Sequence, residues 1–227
     1  MATVDLNQVE IRELNQRLHD LTGNDAECEW RIVHPDGRHA IAAGLDAPVT
    51  VTIEGHVGYY CAGMNQQADV IVEGHAGPGM AENMMSGTVR VTGNASQSAG
   101  ASAHGGLLVI EGDASSRCGI SLKGGDIVVG GSVGHMGAFM AQAGTLVVCG
   151  DAGEGLGDSI YEAELYVQGS VDGLGADCVE KSMDDERLQK LARLLEQAGI
   201  DAEPGSFRLY GSSRKLYNFH VDHAGEY

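Results

Sequence analysis

DVIVEGHAG (69–77), TVRVTGNAS (88–96), LLVIEGDAS (107–115), DIVVGGSVG (126–134), TLVVCGDAG (145–153) and ELYVQGSVD (164–172) are one pattern written six times, and TVTIEGHVG (50–58) is a seventh copy ahead of them. Their central glycines, Gly55, Gly74, Gly93, Gly112, Gly131, Gly150 and Gly169, stand 19 residues apart without exception. A fixed period near 20 residues marks a solenoid. With each glycine as position 0, position −4 reads Val51, Val70, Val89, Leu108, Ile127, Leu146, Leu165, and position −2 reads Ile53, Val72, Val91, Ile110, Val129, Val148, Val167. Aliphatic residues two apart have the strand period. Position +2 is Val or Ala in every copy, position +1 is polar (His56, His75, Asn94, Asp113, Ser132, Asp151, Ser170), and position +7 is always Gly or Ala.

These columns have a direct physical reading. The −4 and −2 side chains of a short strand point inward, the chain bends at a glycine, a further inward residue follows at +2, and later corners admit only tiny side chains. One copy cannot bury its apolar face alone, whereas stacked copies share a continuous core. Successive copies run the same way round, so equivalent strands lie parallel, about 4.8 Å apart, and seven of them make a column of roughly 30 Å. The predicted fold is all-β: a right-handed parallel β-helix of seven 19-residue coils, the hand following from the parallel-crossover rule. A left-handed hexapeptide helix has a coil of roughly 18 residues in three equal units. The 19-residue period without inner three-fold symmetry argues against it.

Open coils need caps. Leu6, Ile11, Leu14, Leu18 and Leu21 have helical spacing within residues 6–21, with Asp5 in place as an N-cap. MDDERLQKLARLLEQAGI (183–200) puts Leu188, Leu191, Leu194 and Leu195 on one face, with acids first and Gly199 near the end. The predicted organisation is an N-terminal helix and cap (1–48), a β-helix (49–178), and a C-terminal helix with an extended tail (179–227). That tail carries Arg208, Arg214 and Lys215, which suit a column holding fifteen acids and three bases between Asp46 and Cys178.

Composition narrows the function classes. The 227 residues include 34 glycines, about twice the usual ~7% frequency, but only 4 prolines and no G-X-Y period. A net charge of −18 makes nucleic acid and anionic membranes poor partners. No apolar run reaches the ~18 residues of a membrane span. The acidic, amphipathic start lacks the basic and apolar regions of a secretory leader. Five cysteines (28, 61, 118, 149 and 178), with no CxxC, suit a reduced compartment. A cytoplasmic location is expected.

Glycine punctuation on a β-helical repeat resembles the GXGXG domain, the C-terminal module of the large subunit of glutamate synthase, which also occurs as a separate chain of formylmethanofuran dehydrogenase. The segments EGHVGYYCAGMNQ (54–66), AENMMSGTVRVTG (81–93), HGGLLVIEGDASSRCGISLKG (104–124), GHMGAFMAQAGTLVVCGDAGEGLGDSIYEAELYVQG (134–169) and GSSRKLYNF (211–219) are closer to the stand-alone form, the glutamate synthase-like GXGXG chain of N-methylglutamate synthase. The likeness covers nearly the whole chain. It implies a hetero-oligomer with a glutaminase-like subunit and a subunit carrying FMN and iron–sulfur clusters, which joins methylamine and glutamate to give N-methylglutamate and ammonia. In that architecture the β-helix is a spacer and support, so the resemblance assigns this chain no catalytic residue and no cofactor. The GXGXG chain of a formylmethanofuran dehydrogenase or formyltransferase/hydrolase-type complex is the alternative assignment, and an independently catalytic β-helix is the alternative of another class.

Other motifs have blander readings. GHAGPG (74–79) and GDAGEGLG (150–157) look like phosphate loops, but the repeat explains them as corners. Cys61 and Cys118 share position +6, three coils apart, or about 14 Å, too far for a disulfide. They read as buried inert thiols, although Arg117 beside Cys118 leaves a reactive thiol open. Glu54, His56, Glu73 and His75 lie at −1 and +1 of adjacent coils and have the donor types of a zinc site. A solvated polar patch is the structural alternative.

One column has no ready place. Position −3 lies between inward residues and must point out, yet it reads Thr52, Ile71, Arg90, Val109, Val128, Val147, Tyr166. The strip Val109, Val128, Val147 and Tyr166 is therefore expected to be a docking face, covered by the chain's own C-terminal helix or by a partner subunit.

Overall fold

In the computed structural model, which describes residues 1–21 and 29–214, each copy of the repeat forms one strand and the strands stack in sequence order. The elements are β1 (Ala2–Asp5), α1 (Ile11–His19), β2 (Glu29–Val33), β3 (Thr50–Glu54), β4 (Asp69–Glu73), β5 (Thr88–Val91), β6 (Leu107–Ile110), β7 (Lys123–Val129), β8 (Ala143–Val148), β9 (Glu164–Val167), β10 (Cys178–Lys181), α2 (Asp185–Ala198), a 3₁₀ turn (Pro204–Ser206) and β11 (Arg208–Ser212). From β1 to β9 every neighbouring pair is parallel. Val51 faces Val70, Val70 faces Val89, and the 19-residue register continues to Leu146 and Leu165. A second ladder of single bridges joins the +2 residues from Val57 through Ala76, Ala95, Ala114, Val133 and Ala152 to Val171. The architecture is a parallel β-solenoid of seven regular coils.

The inward columns are buried as the alternation predicts: all fourteen residues at −4 and −2 are at most 2% exposed. Burying each such side chain stabilises the fold by about 1.5–3 kcal/mol relative to leaving it in water. Position +6 also faces in, through Cys61, Met80, Ala99, Cys118 and Leu156. A further inward column stands at +10, where Asn65, Met84, Ala103, Leu122, Ala141 and Ile160 are buried. Asn65 is its polar member, and its amide donates to the Ala68 carbonyl at 2.8 Å.

The corners turn by left-handed backbone. Positions +5, +7 and +9 have positive φ in successive coils, for example Tyr60, Ala62 and Met64, then Ser98, Gly100 and Ser102, then Met136, Ala138 and Met140. Each non-glycine residue there costs roughly 1–2 kcal/mol. Hydrogen bonds between coils hold the corners, such as Tyr60 N–H to the Pro78 carbonyl at 2.9 Å and Ala81 N–H to the Cys61 carbonyl at 2.9 Å. The period glycines have a different role from the bend expected of them. Of the seven only Gly55 has positive φ. In the other six a Cβ would lie 2.5–2.9 Å from the carbonyl oxygen of the glycine one coil earlier. Glycine is needed there for close approach of stacked backbones.

The sheet runs past residue 49 toward the N-terminus. β2 pairs with β3 at an offset of 21 residues, and Ala40, Ala42 and Gly44 repeat the left-handed corner of Tyr60, Ala62 and Met64 at an offset of 20. Residues 29–48 are thus an irregular leading coil, and β1 adds a strand beyond it. α1 is shorter than the 6–21 span predicted. Asp5 ends a strand and accepts the Asn7 N–H at 2.9 Å, so Glu10 stands at the helix start without a side-chain cap. Leu14 and Leu18 close the core at that end.

At the other end the period slips by one residue. Leu156 bridges Leu174 at an offset of 18, and the Ser159 N–H bonds the Ala176 carbonyl. Ala176 therefore takes the +8 role rather than the +7 role its number predicts, and Asp177 takes the left-handed corner. β11 then pairs antiparallel with β9, and β10 pairs antiparallel with β11, closing the column. Arg208 donates to the Gly169 carbonyl at 2.8 Å and Arg214 pairs with Asp177. Cys28 and the tail from Lys215 onward, including part of GSSRKLYNF, lie outside the described residues.

Candidate functional site

Position +1 is a hydrogen-bonded ladder. The His75 N–H donates to His56 Nδ1 at 2.9 Å, and the Asn94 N–H donates to His75 Nδ1 at 2.8 Å. The Asp113 N–H then donates to Asn94 Oδ1 (2.9 Å), the Ser132 N–H to Asp113 Oδ1 (2.8 Å), the Asp151 N–H to Ser132 Oγ (3.0 Å) and the Ser170 N–H to Asp151 Oδ1 (2.7 Å). The Ser170 N–H and its hydroxyl hold the Asp151 carboxyl below the usual carboxylate range. Each acceptor belongs to a short side chain, which is the signal the sequence carried: His, Asn, Asp and Ser all place a lone pair close to their own backbone.

This ladder fixes the role of the four residues proposed as metal donors. His56 and His75 stack with ring centroids 4.8 Å apart, and both Nδ1 atoms are engaged as acceptors. Accepting at Nδ1 requires the neutral ring with its proton on Nε2. Glu54 forms an ion pair with Arg31, and Glu73 lies opposite Glu54 in the sheet. Among the described residues no group of three or more His, Cys, Asp or Glu is placed to hold a metal ion. His56 and His75 thus serve as two rungs, and Glu54 serves in a strand-end ion pair. GHAGPG and GDAGEGLG form corners of the column, and neither opens a helix.

The apolar strip is covered by the chain itself. Val109, Val128, Val147 and Tyr166 are 0% exposed and cluster with Leu191, Leu194, Leu195, Ala198, Phe207 and Leu209. α2 reaches this position with an Asp184 N-cap that accepts the Arg187 N–H at 2.9 Å, and it ends at Gly199 in the left-handed conformation. Of the four leucines expected to make the contact, Leu188 is only half-buried and lies outside the cluster. Arg90 shows why the column turns polar where it does, since it donates to the Ala198 carbonyl at the helix end (2.8 Å) and to Glu111 (2.9 Å). Glu164 anchors the other end through Arg187 at 2.9 Å and Lys190 at 2.8 Å. Burial pushes its carboxyl upward, but Lys190 and Arg187 outweigh this and hold it below the usual range. The strip is thus an internal joint, and a partner has no access to these four residues.

Cys61 and Cys118 are fully buried, and burial pushes both thiols up to about 12. Arg117 does not activate Cys118, because the thiol points inward while the arginine is exposed. Cys149 and Cys178, raised by burial to about 11, are also poor nucleophiles.

A surface that the sequence did not single out runs along the left-handed corners. Among the described residues, seven of the nine exposed large apolar side chains, Tyr59, Tyr60, Met64, Met85, Met140, Tyr161 and Leu174, lie between positions +4 and +11 of the coils. No helix among the described residues is long and apolar enough to cross a membrane.

Fold and surfaces together define a class: a parallel β-solenoid whose repeating polar side chains hold its own coils in register and whose strand face is sealed by its own helix. The chain is 57% identical over 228 residues to "Protein GlxC" of Rhizobium meliloti (strain 1021), the match covering 100% of both chains, and it belongs to the GlxC family. No family model matches it.

Proposed function

We propose that the chain is a non-catalytic structural subunit of a cytoplasmic glutamate synthase-like complex of the N-methylglutamate synthase kind. In this reading it holds a glutaminase-like subunit and an FMN- and iron–sulfur-bearing subunit in place, and the cofactors belong to that second partner. The observation that carries the reading is the six-rung ladder at position +1. The polar side chains that recur on every regular coil, the natural place for a repeated binding or catalytic group, are engaged in joining one coil to the next. The segment-by-segment likeness to a stand-alone GXGXG chain, which reaches from the first coils into the last strand, supports the particular assignment.

Co-expression with the chains encoded beside it is the test. One complex should elute containing all chains, and formation of N-methylglutamate from methylamine and glutamate should require this subunit while the subunit alone is inactive. Turnover by the isolated chain, or failure to associate with either partner, would overturn the reading. Assembly with formylmethanofuran dehydrogenase-type subunits would move the assignment to that complex.

A further inference from the structure

Three faces of the column differ in what they leave for a partner. The strand face over β6 to β9 is sealed by α2, and the +1 face is the polar ladder. The corner face has an open groove of about 340 Å³ whose lining includes Tyr60, Gly79, Glu82, Ser98, Ser102 and Ile120. The repeat gives the groove its shape. Along the +9 row, Met64 and Met140 stand 53% and 46% exposed, four coils apart, with Asn83, Ser102 and Ser121 between them. Four coils span about 19 Å. Along the +5 row, Tyr60 at 54% exposure rises beside Gly79 and Ser98, and Arg117 and Met136 follow on the far side. A Cβ on Gly79 would strike the Tyr60 ring, so that ring lies over the glycine. Two apolar walls therefore flank a floor of small residues.

We propose that this groove receives an amphipathic α-helix of a partner subunit, with an apolar stripe between Tyr60 and Met140 and more basic than acidic residues beside it; this rests on the reading of the chain as a subunit. A helix is about 10 Å across and fits between walls about 19 Å apart. An added strand does not fit, because the floor's backbone is already paired. Gly79 N–H donates to the Gln97 carbonyl, Ser98 N–H to Ser116, Ser102 N–H to Ile120 and Ser121 N–H to Phe139. Methionine and tyrosine walls suit a protein interface, since both are enriched there and methionine adapts its shape. Charge selects the partner. Glu82 lines the groove, Arg117 is the one cation of the +5 and +9 rows between Tyr60 and Met140, and the chain carries −18 overall, so a second copy is repelled and a basic segment attracted.

Tyr60 and Met140 both have left-handed backbone, φ 59° and 55°. Asparagine is the side chain that best tolerates this conformation. The double variant Tyr60→Asn with Met140→Asn therefore takes one large apolar side chain from each wall while keeping the backbone conformation of the coil. Wild-type and variant chains, each full length, are mixed with the purified partner subunits, and binding is measured by titration alongside thermal melting. The expected result is an unchanged melt and at least tenfold weaker binding, with protection from hydrogen exchange in the wild-type complex falling on residues 59–64 and 136–140. Equal binding by the variant, or protection elsewhere, overturns the groove while leaving the subunit reading intact. Self-association of the wild type through these residues also overturns it. If the wild type binds neither partner, the subunit reading fails and the groove's assignment fails with it.

Discussion

Gly112 cannot gain a methyl group without displacing the coil before it, because that carbon would meet both Asn94 Oδ1 and the Gly93 carbonyl. Gly112→Ala is expected to lower stability by about 1–3 kcal/mol, the usual cost of overpacking, read as a reduced urea midpoint. The ladder makes a sharper prediction. His75→Asn should keep the rung, since Asn94 does the same work one coil later, whereas His75→Leu leaves the Asn94 N–H without its acceptor. The leucine variant should lose about 0.5–1.5 kcal/mol and show faster amide exchange at Asn94. Neither feature was fully legible in the sequence. Alternation says that +1 points outward, but not that it accepts a bond from the next coil. Small residues at +7 announced a constrained corner, while Tyr60, Met64, Arg117 and Met140 give no sign of left-handed backbone at +5 and +9. Gly55 to Gly169 announced themselves by period, and their physical reason appears only when two coils are stacked.

At the scale of elements, α2 shows what an outward apolar column is for. The strip from Val109 to Tyr166 and the helix that covers it were both readable, one as hydrophobic residues where polar ones belong, the other as leucines at helical spacing. The two ion pairs that set the helix on the sheet were not, because Glu164, Arg187 and Lys190 are ordinary surface residues until the fold brings them together. They give the joint a pH dependence. The Glu164 carboxyl is depressed in the folded state, so its contribution is fully present above the ordinary carboxylate value and is lost as pH falls through the folded one. Stability should therefore fall with acid more steeply in the wild type than in Glu164→Gln. Denaturant titrations across the acid range, from neutrality to below the usual carboxylate value, would show the two slopes converge if the ion pairs carry no weight. The N-terminal helix is shorter than its leucine spacing predicts for a related reason: that spacing cannot tell a strand followed by a turn starting at Leu6 from the first turn of a helix, and the pairing of β1 with β2 decides it.

For the molecule as a whole, the regular period gives way at its ends, where the offsets become 21 and 20 residues before the first coil and 18 after the last, and at one register shift between Lys123 and Asp126, where Lys123 faces Ala143 at an offset of 20. Between those points any coil is interchangeable with its neighbour in backbone terms. Deleting residues 56–74 joins Gly55 to His75 and restores the same Gly-His sequence, with every inward column intact. This variant should fold cooperatively and be shorter by about 4.8 Å in small-angle scattering. Deleting 57–74 instead leaves one residue too many in that coil, which must bulge out at a corner or turn the next strand's aliphatic side chains to solvent, and this variant should melt below the 56–74 deletion. The close stacking of glycine on glycine thus makes height a counted quantity. A lineage that needed a different distance between two proteins seated on this column would obtain it one whole coil at a time, with no intermediate lengths to pass through.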